Sequence, residues 1–159
     1  SNHPPPPDNH TTNFSAASDV YKRQTLKSDF VDKLRNSGLR PTKQRLRICE
    51  VLFNAEKTFH FTINDLSKII SQQLNEKISL ATIYNTVHAF KKKGYLKQIP
   101  LNSNQAYFDT NVTEHHHFYD LNEEKLIDLE NSDIGPINIL KKINGKKIKS
   151  VEVLVKLED

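Results

Sequence analysis

The sequence predicts an α+β fold: an N-terminal winged helix-turn-helix domain followed by a small α/β dimerisation domain. Three observations point there. Residues 25–93 show apolar residues recurring at helical spacing in four short runs, each bounded by capping or breaking residues. Two short strand candidates follow, joined by the turn-forming Asn102-Ser-Asn104. The charge then changes sign: residues 25–100 carry 14 Lys/Arg against 6 Asp/Glu, and residues 101–159 carry 7 against 11. A basic first half joined to an acidic second half is the electrostatic footprint of a nucleic-acid module attached to something else.

Ser1–Gln24 contains Pro4–Pro7 and few apolar residues, so it is expected to be disordered. Asp19-Val-Tyr-Lys-Arg-Gln24 also matches the in-frame translation of a common sequencing adapter, which makes the segment a non-native extension. Thr25–Ser37 reads as a helix through Leu26, Phe30, Val31 and Leu34, ended by Gly38. Thr42 caps a second helix to about Asn54, with Leu46, Cys49, Leu52 and Phe53 on its apolar face. Cys49 falls in that stripe and reads as a small core residue. Residues 58–62 read as a connection. Thr62 caps a third helix to about Gln73, with Asp65 in its first turn and Leu66, Ile69 and Ile70 buried.

Ser79 caps a fourth helix, Leu80–Lys93, whose apolar positions are Leu80, Ile83, Val87 and Phe90; Gly94 ends it. In a winged arrangement this last helix enters the major groove. Ser79, Thr82, Tyr84 and Asn85 face the bases, and tyrosine packs against a thymine methyl. Arg40, Lys43, Arg45, Lys97 and the triplet Lys91–Lys93 are placed for phosphates. The plainer alternative for the triplet is a solvated helix end, since cations favour that end of the dipole; the DNA reading is preferred.

Residues 114–119 read as a strand containing His115-His116-His117. Alternate side chains of a strand share a face, so His115 and His117 point one way and His116 the other. With Asp109 just upstream they supply the ingredients of a divalent-metal site. Residues 125–129 read as a strand with Leu126 and Asp128 on one face, residues 135–143 as a helix, and residues 149–158 as a half-buried strand. Three strands and a helix bury little alone, so a symmetric homodimer is expected, which also suits a palindromic operator.

No run of 18 apolar residues and no charged-apolar-small leader is present, so the expected location is the cytoplasm, with no membrane contact. One cysteine excludes a disulfide framework and a Cys-rich zinc site. An enzyme is disfavoured: there is no Gly-rich phosphate loop, nucleophile elbow or HExxH. Alternation also puts Glu114, the one nearby general base for a metal-dependent hydrolase, on the face away from His115 and His117.

Three ordered motifs, Gly38–Arg45, Ile78–Thr86 and Tyr107–Tyr119, resemble the ferric uptake regulator family, and most of all its iron response regulator branch. The resemblance runs from about Thr25 to Leu157. It implies a winged-helix domain over 25–107, a hinge near Phe108-Asp109, and an α/β dimerisation and sensing domain over 108–159. It implies a regulator of iron or haem homeostasis genes, binding operator DNA as a homodimer under the control of Fe²⁺, Mn²⁺ or haem. The regulatory ligands it implies are His60, Asp109, His115, His117 and Asp128, and the haem candidate is the cluster His115, His116 and His117. An ion held by all five would clamp the angle between the two domains and so set the spacing of the recognition helices. The family's structural zinc, held by two cysteine pairs, has no ligands here, since Asp120 and Glu123 stand where the first pair falls. No Cys-Pro haem motif is present. The alternative is a winged-helix regulator without sensing.

Overall fold

The computed structural model describes residues 11–159, with side chains from residue 16 onward. The chain forms two compact units, the first ending at Asn111 and the second spanning Val112–Asp159.

The first unit holds four helices: α1 (Thr11–Asn36), α2 (Lys43–Phe53), α3 (Ile63–Leu74) and α4 (Leu80–Lys93). Residues 1–10 of the expected disordered segment lie outside the described residues. From Thr11, however, the expected disorder gives way to helix. Residues 16–25 are exposed, so packing does not hold this stretch. No Gly or Pro interrupts 11–36, and extending an existing helix costs far less than nucleating one. Capping follows the sequence closely. Thr42 Oγ1 accepts the Arg45 N–H, and Thr62 and Asp65 cap each other reciprocally at 2.9 and 3.1 Å. Ser79 Oγ accepts from Thr82 N–H. Gly94, at φ +92°, closes α4 by donating to the Phe90 carbonyl.

Phe30, Leu34, Ile48, Leu52, Leu66, Ile70, Ile83, Val87 and Phe90 form the helical core. Leu80, expected on the apolar face of α4, is instead 51% exposed at the first position of the helix. A three-stranded antiparallel sheet closes the unit: β1 (His60–Phe61), β2 (Lys97–Ile99) and β3 (Tyr107–Asp109), in the order β1-β3-β2. The sequence reading made residues 58–62 a connection. Two residues carry too little pattern to read as a strand, yet His60 and Phe61 pair with Asp109 and Phe108.

The second unit is a sheet of β4 (His116–Asp120), β5 (Lys125–Leu129) and β6 (Leu154–Leu157), in the order β5-β4-β6. β4 and β5 are antiparallel, and β4 and β6 parallel. The turn between β4 and β5 is tied by Asp120 Oδ1, which accepts the N–H groups of Asn122 and Glu123, and by the Asn122 amide, which donates to Asp159. The expected helix over 135–143 does not form. Ile137, Ile139, Leu140 and Ile143 are 43–92% exposed, and a nine-residue helix is unstable unless an apolar face packs on something. The strand expected over 149–158 is reduced to β6. Among the described residues no helix is long and apolar enough to cross a membrane.

Cys49 is fully buried in the helical core, and burial pushes its thiol up to about 12 from 9.0. The thiolate fraction is then roughly a thousandfold below that of an exposed cysteine, tenfold per pKa unit. Iodoacetamide at pH 8 is expected to leave the folded protein unmodified and to alkylate Cys49 once guanidinium unfolds it. Fast labelling of the native chain, followed by mass spectrometry, would show the stripe to be open.

Candidate metal centre and nucleic-acid face

Each unit builds a His–Asp cluster by strand pairing. In the first, the β1–β3 register sets His60 directly opposite Asp109. Directly opposed residues share a face with Cβ atoms roughly 5 Å apart. Here His60 Nε2 stands 3.2 Å from Asp109 Oδ2. Asp109 is 1% exposed, and its other oxygen accepts the Asn111 N–H at 2.8 Å. The two carboxylate oxygens are thus divided between the backbone and the imidazole. On the other side of β3 the register sets Lys97 opposite Asp109, so Lys97 belongs to the same face as this pair.

In the second unit the β4–β5 register sets His117 opposite Asp128. His117 Nε2 lies 3.4 Å from Asp128 Oδ1, and His115 Nε2 lies 3.3 Å from the same oxygen. The two rings are 4.5 Å apart. His115 just precedes β4, yet it keeps to the face of His117. His116 turns the other way, where its Nδ1 accepts the Val153 N–H at 2.9 Å. All three histidines are buried, and the Asp128 side chain is one-third exposed.

The chemistry of His115 is the informative part. Its Nδ1 is 2.7 Å from the Thr113 carbonyl, which can only accept, so Nδ1 carries the proton. Nε2 then presents a lone pair to a carboxylate oxygen unless a proton or a cation lies between them. A backbone carbonyl on one ring nitrogen, with the other free to coordinate, is how protein scaffolds orient metal-ligating histidines. Ligands about 2.1 Å from one ion stand roughly 3 Å apart in octahedral geometry, so the spacing within each cluster fits donors around a cation. Imidazole nitrogen with carboxylate oxygen suits Fe, Mn and Zn.

The candidate nucleic-acid face is the outer side of α4. Tyr84 is 51% exposed and Asn85 is exposed; Thr82 is half-buried and its hydroxyl pairs with Ser79 Oγ at 2.9 Å. Arg40 and Lys43 are exposed, and Arg45 donates to the Arg40 carbonyl at 2.9 Å. Lys91 donates to Gln98, which ties the end of α4 to β2. Thus most of the sequence-named residues lie at the start of α2 and along α4. Lys97 is apart from them, on the His60–Asp109 face. His88 lies on α4 one turn after Tyr84. In the structure its ring contacts both Tyr84 and Phe108.

A family model for the ferric uptake regulator family matches residues 36–157. The chain is 34% identical over 89 residues to the peroxide-responsive repressor PerR of Staphylococcus saprophyticus, covering 56% of this chain and 58% of that relative. It is 32% identical over 103 residues to the ferric uptake regulation protein of Haemophilus ducreyi, covering 64% and 68%. The fold is shared with the ferric uptake regulator of Pseudomonas aeruginosa with manganese, at a TM-score of 0.60, 19% identity and coverage of 82% and 97%. It is shared also with that of Vibrio cholerae, at 0.62, 19%, and 81% and 98%.

The geometry separates the three adjacent histidines by role. Replacing His116 with Ala leaves the Val153 N–H without its acceptor and is expected to cost about 1–3 kcal/mol of stability in urea unfolding. A neutral result would mean that water replaces the ring at no cost.

Proposed function

The chain belongs to the ferric uptake regulator family, and we propose that it is a metal-responsive transcriptional regulator that binds operator DNA as a homodimer in the cytoplasm. Members of the family are regulators rather than enzymes, and with that the hydrolase reading of the His/Asp clusters falls. The observation that carries the proposal is His115, whose Nδ1 lies 2.7 Å from the Thr113 carbonyl while its Nε2 faces Asp128 Oδ1 at 3.3 Å.

We infer that His60, Asp109, His115, His117 and Asp128 serve one divalent ion. Two donors on one unit and three on the other are each too few for a closed site. Together they meet the four to six positions that zinc, iron and manganese fill. When bound, the ion supplies positive charge for two carboxylates. Sharing ligands between the units ties the unit carrying α4 to the unit carrying the second sheet, and so fixes the spacing of the two α4 helices in a dimer. The population of DNA-competent dimers then rises with the ion's preference for that state, and by no more than that preference. Fe²⁺ and Mn²⁺ both suit the donor set.

The narrower assignment to the iron response regulator branch rests on the turn at 121–124. It is held by Asp120 and by the Asn122–Asp159 hydrogen bond, where other members use cysteines and zinc. Haem is the competing effector in this reading. With His116 engaged by Val153, haem iron would draw on His115 or His117 and displace the metal.

The test is an electrophoretic shift of the full chain on an operator duplex with chelator, Mn²⁺, Fe²⁺ and haem, repeated across a salt series. We expect a salt-dependent shift, strengthened by Mn²⁺ or Fe²⁺ and weakened by haem. His60→Ala and Asp128→Ala, one from each unit, are each expected to lower Mn²⁺ affinity at least tenfold and to abolish the metal enhancement. DNA binding that ignores metal and haem alike would leave a winged-helix regulator without sensing.

A further inference from the structure

Tyr84 stands on α4 with little to hold it. On one side is a hollow of about 480 Å³ bordered by Ser37, Asn85, Lys91 and Lys92. On the other is one of about 180 Å³ bordered by Thr62, Asn64, Gln105 and Ala106. Both hollows are also lined by Tyr84 and His88. An exposed tyrosine flanked by open space samples several rotamers, and each lost on binding costs entropy. What stands against the ring is His88, one turn on, with ring centroids 4.0 Å apart and planes tilted by 38°. Helical side chains lean toward the N-terminus, so a residue at i+4 covers the side chain at i.

His88 is held from behind. The Phe108 ring meets it edge-on at 5.5 Å and 86°. Phe108 is fully buried and stacks on Phe61 at 5.6 Å and 25°. Phe61 and Phe108 are register partners, as are His60 and Asp109 beside them. Side chains alternate along a strand, so the two phenylalanines occupy one face of the sheet and His60 and Asp109 the other. A shift of β3 that moves Asp109 therefore moves Phe108 against His88. Burial, and then the charge of Lys91, holds the His88 imidazole below its ordinary value of 6.5, so near neutral pH it acts as an uncharged ring.

We propose that His88 is the positioning residue of the DNA interface: it props Tyr84 in its base-reading rotamer and transmits to it the position of the strand that carries Asp109. This rests on the reading of α4 as the helix in the groove and of Asp109 as a metal ligand. Two ring contacts in series join the candidate metal residues of β1 and β3 to the exposed tyrosine, all within the first unit.

The probe is a duplex selected from random-sequence DNA by the full wild-type chain with Mn²⁺. Two quantities are read: the loss of affinity when each thymine is replaced by uracil, which deletes one methyl group, and the ratio of affinities with Mn²⁺ and with chelator. Tyr84→Ala is expected to erase the uracil penalty at one position. His88→Ala and His88→Gln are expected to erase it at the same position and to cut the Mn²⁺ ratio by about tenfold, within the usual scale of coupling between two sites. His88→Phe, which keeps a ring, is expected to retain both within about twofold. Thermal melts establish that each variant is folded, and Gln keeps most of the volume if Ala does not fold. Wild-type penalties and ratio in folded His88→Gln would overturn the proposal, and so would a His88→Phe that behaves like His88→Gln. Failure of the underlying reading is visible separately, in the wild type and Tyr84→Ala: no duplex is selected, or no thymine methyl depends on Tyr84.

Discussion

The candidate site depends on strand register. His60 faces Asp109 because β1 pairs with β3 in one register, and His117 faces Asp128 because β4 pairs with β5 in one register. A slip of one residue in either pairing sends an imidazole to the opposite face. Apolar neighbours guard both registers. Phe61 and Phe108 are buried on the back of the first sheet, and Tyr119 pairs with buried Leu126 in the second. The hydrophobic cores thus fix the geometry of polar groups that contribute no apolar burial themselves.

That arrangement gives β3 two duties. One face presents Asp109, with His60 and Lys97 as cross-strand neighbours. The other inserts Phe108 into the core beneath α4. β3 is the central strand of its sheet, paired with β1 and β2, and Phe108 and Asp109 on its two faces are both buried, so a displacement of one face is felt on the other. The capping of α4 by Ser79 and Gly94 keeps the helix itself a fixed rod, leaving side chains on its outer face as the adjustable parts.

α2, α3 and α4 were legible in the sequence because each announces itself locally, through Thr42, Thr62, Ser79 and Gly94 as caps and an apolar stripe between them, whereas α1 runs back to Thr11 through a stretch with no apolar stripe to announce it. Alternation of the three histidines was legible for the same reason: strand period is two, and His116 does point away. The other features that were not legible depended on partners distant in the chain. His60–Phe61 is a strand only because β3 lies beside it. The stretch 135–143 has helical spacing, yet it leaves Leu140 92% exposed, since the second unit offers no surface to cover it. Five donor residues could be named from a family resemblance. That two of them pair within one unit and three within the other required the registers. The role argued for His88 was invisible, because a histidine on a polar helix face looks like any other until Phe108 is found behind it.

The central claim is that the two clusters serve a single ion. Pulsed electron paramagnetic resonance of the Mn²⁺-loaded protein counts the imidazoles on the ion directly. The account predicts one Mn²⁺ per chain with three coordinated imidazoles, falling to two in His60→Ala. A count of two in the wild type, unchanged by His60→Ala, would contradict it and confine the metal to His115, His117 and Asp128.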